Sequence, residues 1–324
     1  MRTSVTTPRL TLFTSPKPFR DPHIRVIQQN ALASWRALGP EVDVILFGDE
    51  EGVAEVARTM GFRHQPHVAR NRYGTPLLLD MFAQAQQMAR SPWVAFLNAD
   101  IILLPDTWDV LQALDRVSHP VLVSARRWDM DIVAPIDWAR EDRNAWRTRA
   151  RTHSLHPTGM DAFLFRRGQI QAMPPFAIGR AGWDNWMIYH ARKQGWWVID
   201  ATPDWTLIHQ KHHYGHLPQA RPHFKQEESL ENMRLAGGPA RMYTLWEATH
   251  WLVRGQLRRR PWRKMQSWRV LELLLLRPGQ PHKGLRRVLL RIVRRRWQRP
   301  WLAQPGWWLA YYGRGVVDDG EGER

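Results

Sequence analysis

The sequence predicts an α/β fold built on a parallel sheet covered on both faces. Three observations predict it. Short apolar runs such as Val42 to Phe47 and Trp93 to Leu97 alternate with segments of helical periodicity. These runs have few polar breaks, as strands buried on both faces require. Each also stops at polar residues, the position where sheets of this kind hold ligands.

Taken in order, Leu10-Thr11-Leu12-Phe13-Thr14 is the first strand, ended by Ser15-Pro16-Lys17-Pro18. Ile24, Ile27, Ala31, Trp35 and Leu38 recur at helical spacing until Gly39-Pro40. Val42 to Phe47 is a buried strand that stops at Gly48-Asp49-Glu50-Glu51, and Val53 to Met60 is a short helix stopped by Gly61. A loop around Arg70 to Pro76 leads to a helix from Leu77 to Ala89, with Thr75 placed to cap it and Pro76 at its first position. The third strand, Trp93 to Leu97, runs into Asn98-Ala99-Asp100. Further strands are expected at Val121 to Ser124, Asp161 to Phe165 and Trp196 to Ile199, and a helix at Gly182 to Arg192. The charged stretch from Arg126 to Arg151 has no assigned element, and the region from Pro218 to about Arg254 reads as helical. In such a sheet Thr14-Ser15, Asp49-Glu50 and Asn98 to Asp100 converge on one edge, which is the predicted site.

The chain has 324 residues, enough for one large domain or a domain with an appendage. With 44% hydrophobic residues and 19 Trp it has the material for a sizeable core, which excludes global disorder. The absence of cysteine excludes disulfides, thiolate metal sites and a cysteine nucleophile, and fits a cytoplasmic location. No signal peptide is expected in Met1 to Phe19, and no apolar run reaches the ~18 residues of a spanning helix. The net charge of +17 is uneven: residues 255–324 hold 17 Lys+Arg and 5 Asp+Glu, a net of +12, leaving +5 for the rest. A nearly balanced domain therefore precedes a strongly basic tail. The expected division is a domain over 1–254, a basic Trp/Arg-rich amphipathic helical extension over 255–317, and a disordered end over 318–324.

Phe96-Leu97-Asn98-Ala99-Asp100 is the sharpest motif. A buried strand ending in an acid, with an oxygen ligand two positions earlier, suits Mg²⁺ or Mn²⁺ whose open positions take a diphosphate. A turn cap after the strand is the other reading of Asp100. Here the sequence resembles the GT-A class of nucleotide-sugar-dependent glycosyltransferases, family-2-like and of bacterial type, whose Rossmann-like sheet carries a D-x-D motif after a central strand. Asn98 stands where that motif has its first Asp. The resemblance implies that Asp100 is a metal ligand, with Asn98 beside it. It also implies that Thr14, Ser15, Asp49 and Glu50 meet the nucleotide, and that Arg70 or Arg72, in the loop before the third helix, binds phosphate.

Ala181-Gly182-Trp183-Asp184-Asn185-Trp186 resembles the acidic helix start that inverting GT-A enzymes place near the acceptor. Asp184 then takes the proton of the attacking hydroxyl, and Trp183 or Trp186 stacks on a sugar. The competing reading is a helix N-cap with Trp anchors in the core. Asp161 lies at a strand mouth where acceptor residues occur, or else bonds the Gly159 turn. Four His fall between His209 and His216. By resemblance His209 completes the metal shell, while Lys211, His212 and His213 meet the leaving diphosphate; a surface His loop is the alternative, and zinc has little support without Cys or H-E-x-x-H. The expected reaction moves a sugar from a nucleotide-diphosphate donor to a hydroxyl acceptor, either lipid-linked or glycan. The alternatives are a nucleotidyltransferase, against which the Gly-free loop after the first strand counts, and a domain that binds a nucleotide-sugar or polyanion without turnover.

In the tail, Leu285, Val288, Leu289, Ile292 and Val293 share one helical face, with Arg286, Arg287, Arg291, Arg294 and Arg295 mostly off it and Trp297, Trp301, Trp307 and Trp308 following. Basic amphipathic helices with Trp at the edge suit an anionic membrane surface, here the inner face. Nucleic acid would use the same arginines, but no nucleic-acid fold accompanies them. Helices packed on the domain with a solvated Arg face are the third reading.

Overall fold

The computed structural model describes residues 7–211, 226–261, 264–276, 284–297 and 307–312. In chain order the strands are β1 (Leu10–Thr14), β2 (Val42–Phe47), β3 (Arg63–Gln65), β4 (Trp93–Leu97), β5 (Ile101–Leu103), β6 (Val121–Ser124), β7 (Arg126–Met130), β8 (Ser154–Met160), β9 (Ala162–Arg166), β10 (Trp197–Asp200), β11 (Leu207–Gln210), β12 (His250–Val253) and β13 (Gln256–Arg259). The helices are α1 (Pro22–Arg36), α2 (Val53–Met60), α3 (Leu78–Met88), α4 (Asp106–Leu114), α5 (Arg143–Arg151), α6 (Trp183–Lys193), α7 (Glu227–Leu235), α8 (Lys264–Leu275), α9 (Gly284–Trp297) and α10 (Trp307–Tyr312).

Among the described residues, nine strands join in the order β13-β12-β10-β6-β9-β4-β1-β2-β3, and β5-β11-β7-β8 make a smaller sheet. Alternate residues of β4 enter different cores. Trp93, Ala95 and Leu97 join Trp35 of α1, Val53 of α2 and Leu111 of α4, while Val94 and Phe96 join Phe82 of α3 and Met187 of α6. This period of two puts helices on both faces, the layered α/β class expected from the apolar runs.

The sheet is mostly but not wholly parallel. β9 lies antiparallel between β4 and β6. The chain leaves β4 for the small sheet through residues 98–100 and returns from β8 across Asp161, so β9 starts at the edge where β4 ends and runs back. Helix starts also differ from expectation. Asp21 caps α1 by accepting from the His23 and Ile24 backbone N–H groups at 2.8 and 3.0 Å, with Pro22 in the first turn. Thr75 and Pro76 do not start α3, because Leu77 still pairs in extended form with Ala177. Among the described residues the helical reading after Pro218 holds for α7 and two single 3-10 turns: Gly237 and Gly238 take φ of 87° and 91°, and Trp251-Leu252-Val253 enters the large sheet as β12. The 254/255 boundary therefore falls in the turn of the β12–β13 hairpin. The 318–324 end lies outside the described residues.

A third core ties the tail to the small sheet. Arg126 of β7 is fully buried, 2.5 Å from the Asp200 carboxylate, and donates at 2.5 Å to the Tyr312 hydroxyl, which itself donates to Asp200 at 2.7 Å. Trp246 lies over the guanidinium at 4.6 Å and Tyr311 at 5.4 Å. A buried cation that loses its partner keeps its desolvation cost. Asp200→Ala is expected to lower stability by about 3–5 kcal/mol in urea denaturation; a change below about 1 kcal/mol, the range of exposed pairs, would show that this buried pair does not hold α10 and β7 together.

Candidate functional site

Two corners of the chain form the floor of the site. One joins β4 to β5 and carries Asn98 and Asp100; the other joins β8 to β9 and carries Asp161. The Asn98 backbone N–H donates to the Asp161 carbonyl at 2.9 Å, and its side-chain amide donates to the Asp161 carboxylate at 2.6 Å. That contact explains why an amide stands at 98. The amide supplies an N–H donor to that carboxylate oxygen, which an ionised aspartate would lack.

From Asp161 a polar ring returns to Asp100. Arg127 donates to Asp161 at 2.7 Å and to Asp129 at 3.1 Å. Asp129 meets Nδ1 of His209 at 2.9 Å, and Nε2 of His209 lies 3.7 Å from Asp100. Four elements thus supply one ring: the two corners, β7 and β11. Burial disfavours the Arg127 cation, but Asp161 and Asp129 outweigh it and raise its pKa. Burial likewise pushes Asp129 up, yet His209 and Arg127 hold it below the usual range. His156 sits beside them and is lowered by burial and then by the Arg127 charge. Gly159 makes room for this packing, since a Cβ there would lie 3.0 Å from both Arg127 and His156.

Cations and one further acid face the ring. The Lys17 side chain reaches solvent, but the protein around its ammonium lowers its pKa, with Asp100 opposing and Arg180 adding to the drop. Arg180 is held by Glu228 of α7 at 2.7 Å, and Glu228 also accepts from Asn71 at 2.8 Å. Asp184, in the first turn of α6, is half-buried; burial pushes it up to about 6, backbone N–H groups moderate the rise, and the nearby Asp161 adds to it. Gly182, not Asp184, is the N-cap residue.

The ends of β1 and β2 make an adjoining corner. Thr14 is buried and its hydroxyl has no hydrogen-bond partner. Gly48 takes a φ of 98°, and a Cβ on it would lie 2.1 Å from a Glu50 carboxylate oxygen and 3.3 Å from the Ser15 hydroxyl. That Glu50 oxygen is buried without a partner, while the other accepts from Arg70 at 2.9 Å. Arg70 also pairs with Asp49 and donates to the Gly74 carbonyl at 2.8 Å.

Other expected site residues lie elsewhere. Arg72 is exposed, stacks on Tyr73 at 4.8 Å and pairs with Glu227 at 3.2 Å. Trp183 is buried edge-on against Phe96 and Phe163, and the buried Trp186 lies edge-on to Phe176 and stacked on His190, so both sit in the core as anchors. Lys211 is exposed beyond β11, its N–H bonded to Met130. His212 and His213 lie outside the described residues. The sequence reading missed Arg127, Asp129, His156 and Arg180. A signal existed for two of them: in an extended Arg126 to Met130, Arg127 and Asp129 fall on one face and Trp128 and Met130 on the other.

Asp100 and His209 form a donor pair suited to Mn²⁺ or Mg²⁺. A carboxylate oxygen and an imidazole nitrogen face each other, and Asp129 engages the other ring nitrogen, the arrangement that orients a ligating histidine. Among the described residues no group of three His, Asp or Glu side chains is set to hold a metal. Asn98 turns its amide nitrogen to Asp161. A two-ligand protein site leaves the remaining positions to substrate oxygens, which is how such ions commonly bind phosphates.

No family model and no curated protein matches the chain. Solved structures do. The chain is similar to the mannosyltransferase PcManGT from Pyrobaculum calidifontis in complex with GDP-Man and Mn²⁺, at 15% identity over 70% of each chain and a TM-score of 0.39. It is similar to TarS from S. aureus in complex with UDP-GlcNAc, at 14% identity over 71% of this chain and 65% of that one, with a TM-score of 0.44. It is also similar to glucosyl-3-phosphoglycerate synthase from Mycobacterium tuberculosis in complex with Mn²⁺, UDP and phosphoglyceric acid, at 14% identity over 72% of this chain and 80% of that one, with a TM-score of 0.44. The chain spans about two thirds of the length of TarS.

Proposed function

We propose that this chain is a metal-dependent glycosyltransferase moving a sugar from a nucleoside-diphosphate donor to a hydroxyl acceptor with inversion. The observation that carries this reading is the ring at the sheet edge. Asp100 and His209 face each other there, with Asp184 raised to about 6 beside Asp161. In this reading the Thr14 hydroxyl and the free Glu50 oxygen are polar groups for the nucleoside, and Lys17 with Arg180 faces the diphosphate.

Asp100 and His209 would hold the ion, Asp129 fixing the imidazole. Such an ion, when bound, offsets charge on a departing diphosphate. The residues do the rest. Asp184 accepts the proton of the acceptor hydroxyl as its oxygen bonds to the anomeric carbon. The bond from that carbon to the donor's phosphate oxygen breaks, and the nucleoside diphosphate leaves with the electron pair. Lys17 and Arg180 stabilise that charge electrostatically.

Incubation with UDP-, GDP- and CMP-linked sugars plus Mn²⁺ tests the proposal. Release of UDP or GDP from its sugar donor, enhanced by an acceptor alcohol, is the expected result; release of CMP alone, or no release from any of them, overturns it. The charge of Lys17 near Asp100 keeps a second reading, a nucleotidyltransferase, although the loop after β1 has the lysine and not the glycines of such enzymes. Pyrophosphate release from a nucleoside triphosphate in the same assay would select it.

A further inference from the structure

We infer that the α8–α9 hairpin is a docking surface for an anionic lipid membrane. Eleven large hydrophobic side chains are exposed among the described residues, and seven of them lie on these two helices: Val270, Leu271 and Leu274 on α8, and Leu285, Val288, Leu289 and Ile292 on α9. Scattered exposed apolar residues are ordinary, but a concentration of this kind marks an interaction site.

The helical geometry of α9 sorts its residues into three stripes. Leu290 and Val293 are buried, and Val293 packs in the third core with Trp246 and Trp251. Leu285, Val288, Leu289 and Ile292 form the second stripe, about 100° wide at 3.6 residues per turn, and it faces outward. Arg287, Arg291, Arg294 and Arg295 form the third, all exposed. The body holds the hairpin in this orientation through Arg269, which pairs with Glu247 at 2.9 Å and with Glu272 at 2.7 Å. Arg294 also pairs with Glu272, at 2.7 Å. The described side chains of the two helices include one acid, Glu272, and it is buried by those arginines.

Charge selects the occupant. A second copy docking through the same two helices would bring the same arginines and, among the described side chains, no exposed acid to meet them, so that self-association opposes itself. Nucleic acid would use the arginines but leave the outward Leu, Ile and Val stripe against water. An anionic bilayer satisfies both stripes, with the apolar one in the acyl boundary and the arginines among the headgroups. Among the described residues no helix is long and apolar enough to cross a membrane, so the contact lies along the surface. The surface is separate from the sheet-edge ring, and the inference stands apart from the transferase reading.

Co-sedimentation of the full chain with phosphatidylcholine vesicles, with and without 30% phosphatidylglycerol (roughly physiological anionic content), tests it. Binding to the anionic vesicles alone, weakened by salt, is expected. Leu285→Glu/Ile292→Glu should abolish it, and Arg287→Gln/Arg291→Gln/Arg295→Gln should lower the partition about a hundredfold, at about fivefold per arginine. Thermal unfolding of both variants near wild type shows that the fold is intact; should the glutamates unfold the hairpin, Leu285→Ser/Ile292→Ser replaces them. Equal binding to neutral vesicles, no binding, or binding indifferent to both sets of substitutions overturns the inference. So does a dimer in solution that Leu285→Glu dissociates, or tighter binding to RNA than to vesicles.

Discussion

Asp100→Ala is expected to reduce sugar transfer and donor hydrolysis by about a thousandfold or more and to abolish their response to Mn²⁺. The size follows from the small donor set. With the two proposed ligands facing each other across 3.7 Å, removing the carboxylate leaves one imidazole nitrogen, which holds a hard divalent cation poorly. Asp129→Ala should act through His209 and cost less, about 10–100-fold in metal affinity, because the imidazole keeps its nitrogen but loses its orientation. Titration of Mn²⁺ by electron paramagnetic resonance reads affinity apart from turnover. Unchanged Mn²⁺ binding and activity in Asp100→Ala would remove the metal from this edge. The control is Asn98→Ala, which disturbs the corner without touching the donor pair; its Mn²⁺ affinity should stay closer to wild type than that of Asp100→Ala.

The strands of the large sheet were legible because burial on both faces leaves continuous apolar runs, and β1, β2, β4 and β6 match the expected bounds. Asp100 was legible for the same reason, since an acid ending such a run stands out. The small sheet was less so. β7 carries charge at Arg126, Arg127 and Asp129, and β8, largely half-buried or exposed, contains Pro157 and Gly159, so no apolar run announces either strand. Two members of the ring therefore escaped notice, because Arg127 and Asp129 belong to a strand that looks like a charged loop. Trp183 and Trp186 erred the other way. Aromatic residues beside a catalytic candidate suggested sugar stacking, but α6 turns both inward, and only the contacts with Phe96, Phe163 and Phe176 reveal it. Helical spacing made the stripes of the basic tail legible but not its attachments: β13 joins the large sheet, and α10 delivers Tyr312 to the buried Arg126.

Asp184→Asn is expected to lower kcat by about a thousandfold while leaving the KM for donor nearly unchanged, because a base acts in the transition state and not in donor binding. Its pKa near 6 fixes the pH behaviour. A base works only when deprotonated, so wild-type kcat should fall about tenfold per pH unit below about 6 and level off above it. In the asparagine variant that acid limb should vanish from the residual rate. The stability prediction has the opposite sign from the activity prediction. A carboxyl whose folded pKa lies above its unfolded value of about 4 binds its proton more tightly in the fold, so its contribution is present below about pH 4 and is lost as pH rises through 6. Removing the charge should leave the variant as stable as wild type at pH 7, or more stable by about 1–3 kcal/mol, since Asp184 is half-buried and partly solvated. A variant that loses activity while resisting urea as well as or better than wild type would tie Asp184 to chemistry. Wild-type kcat that is flat from pH 5 to 8, or full activity in Asp184→Asn, would take the base away from the start of α6. The raised pKa and the stability cost share one cause: the carboxyl of Asp184 is partly buried and lies near Asp161, a place the fold alone does not favour for a carboxylate.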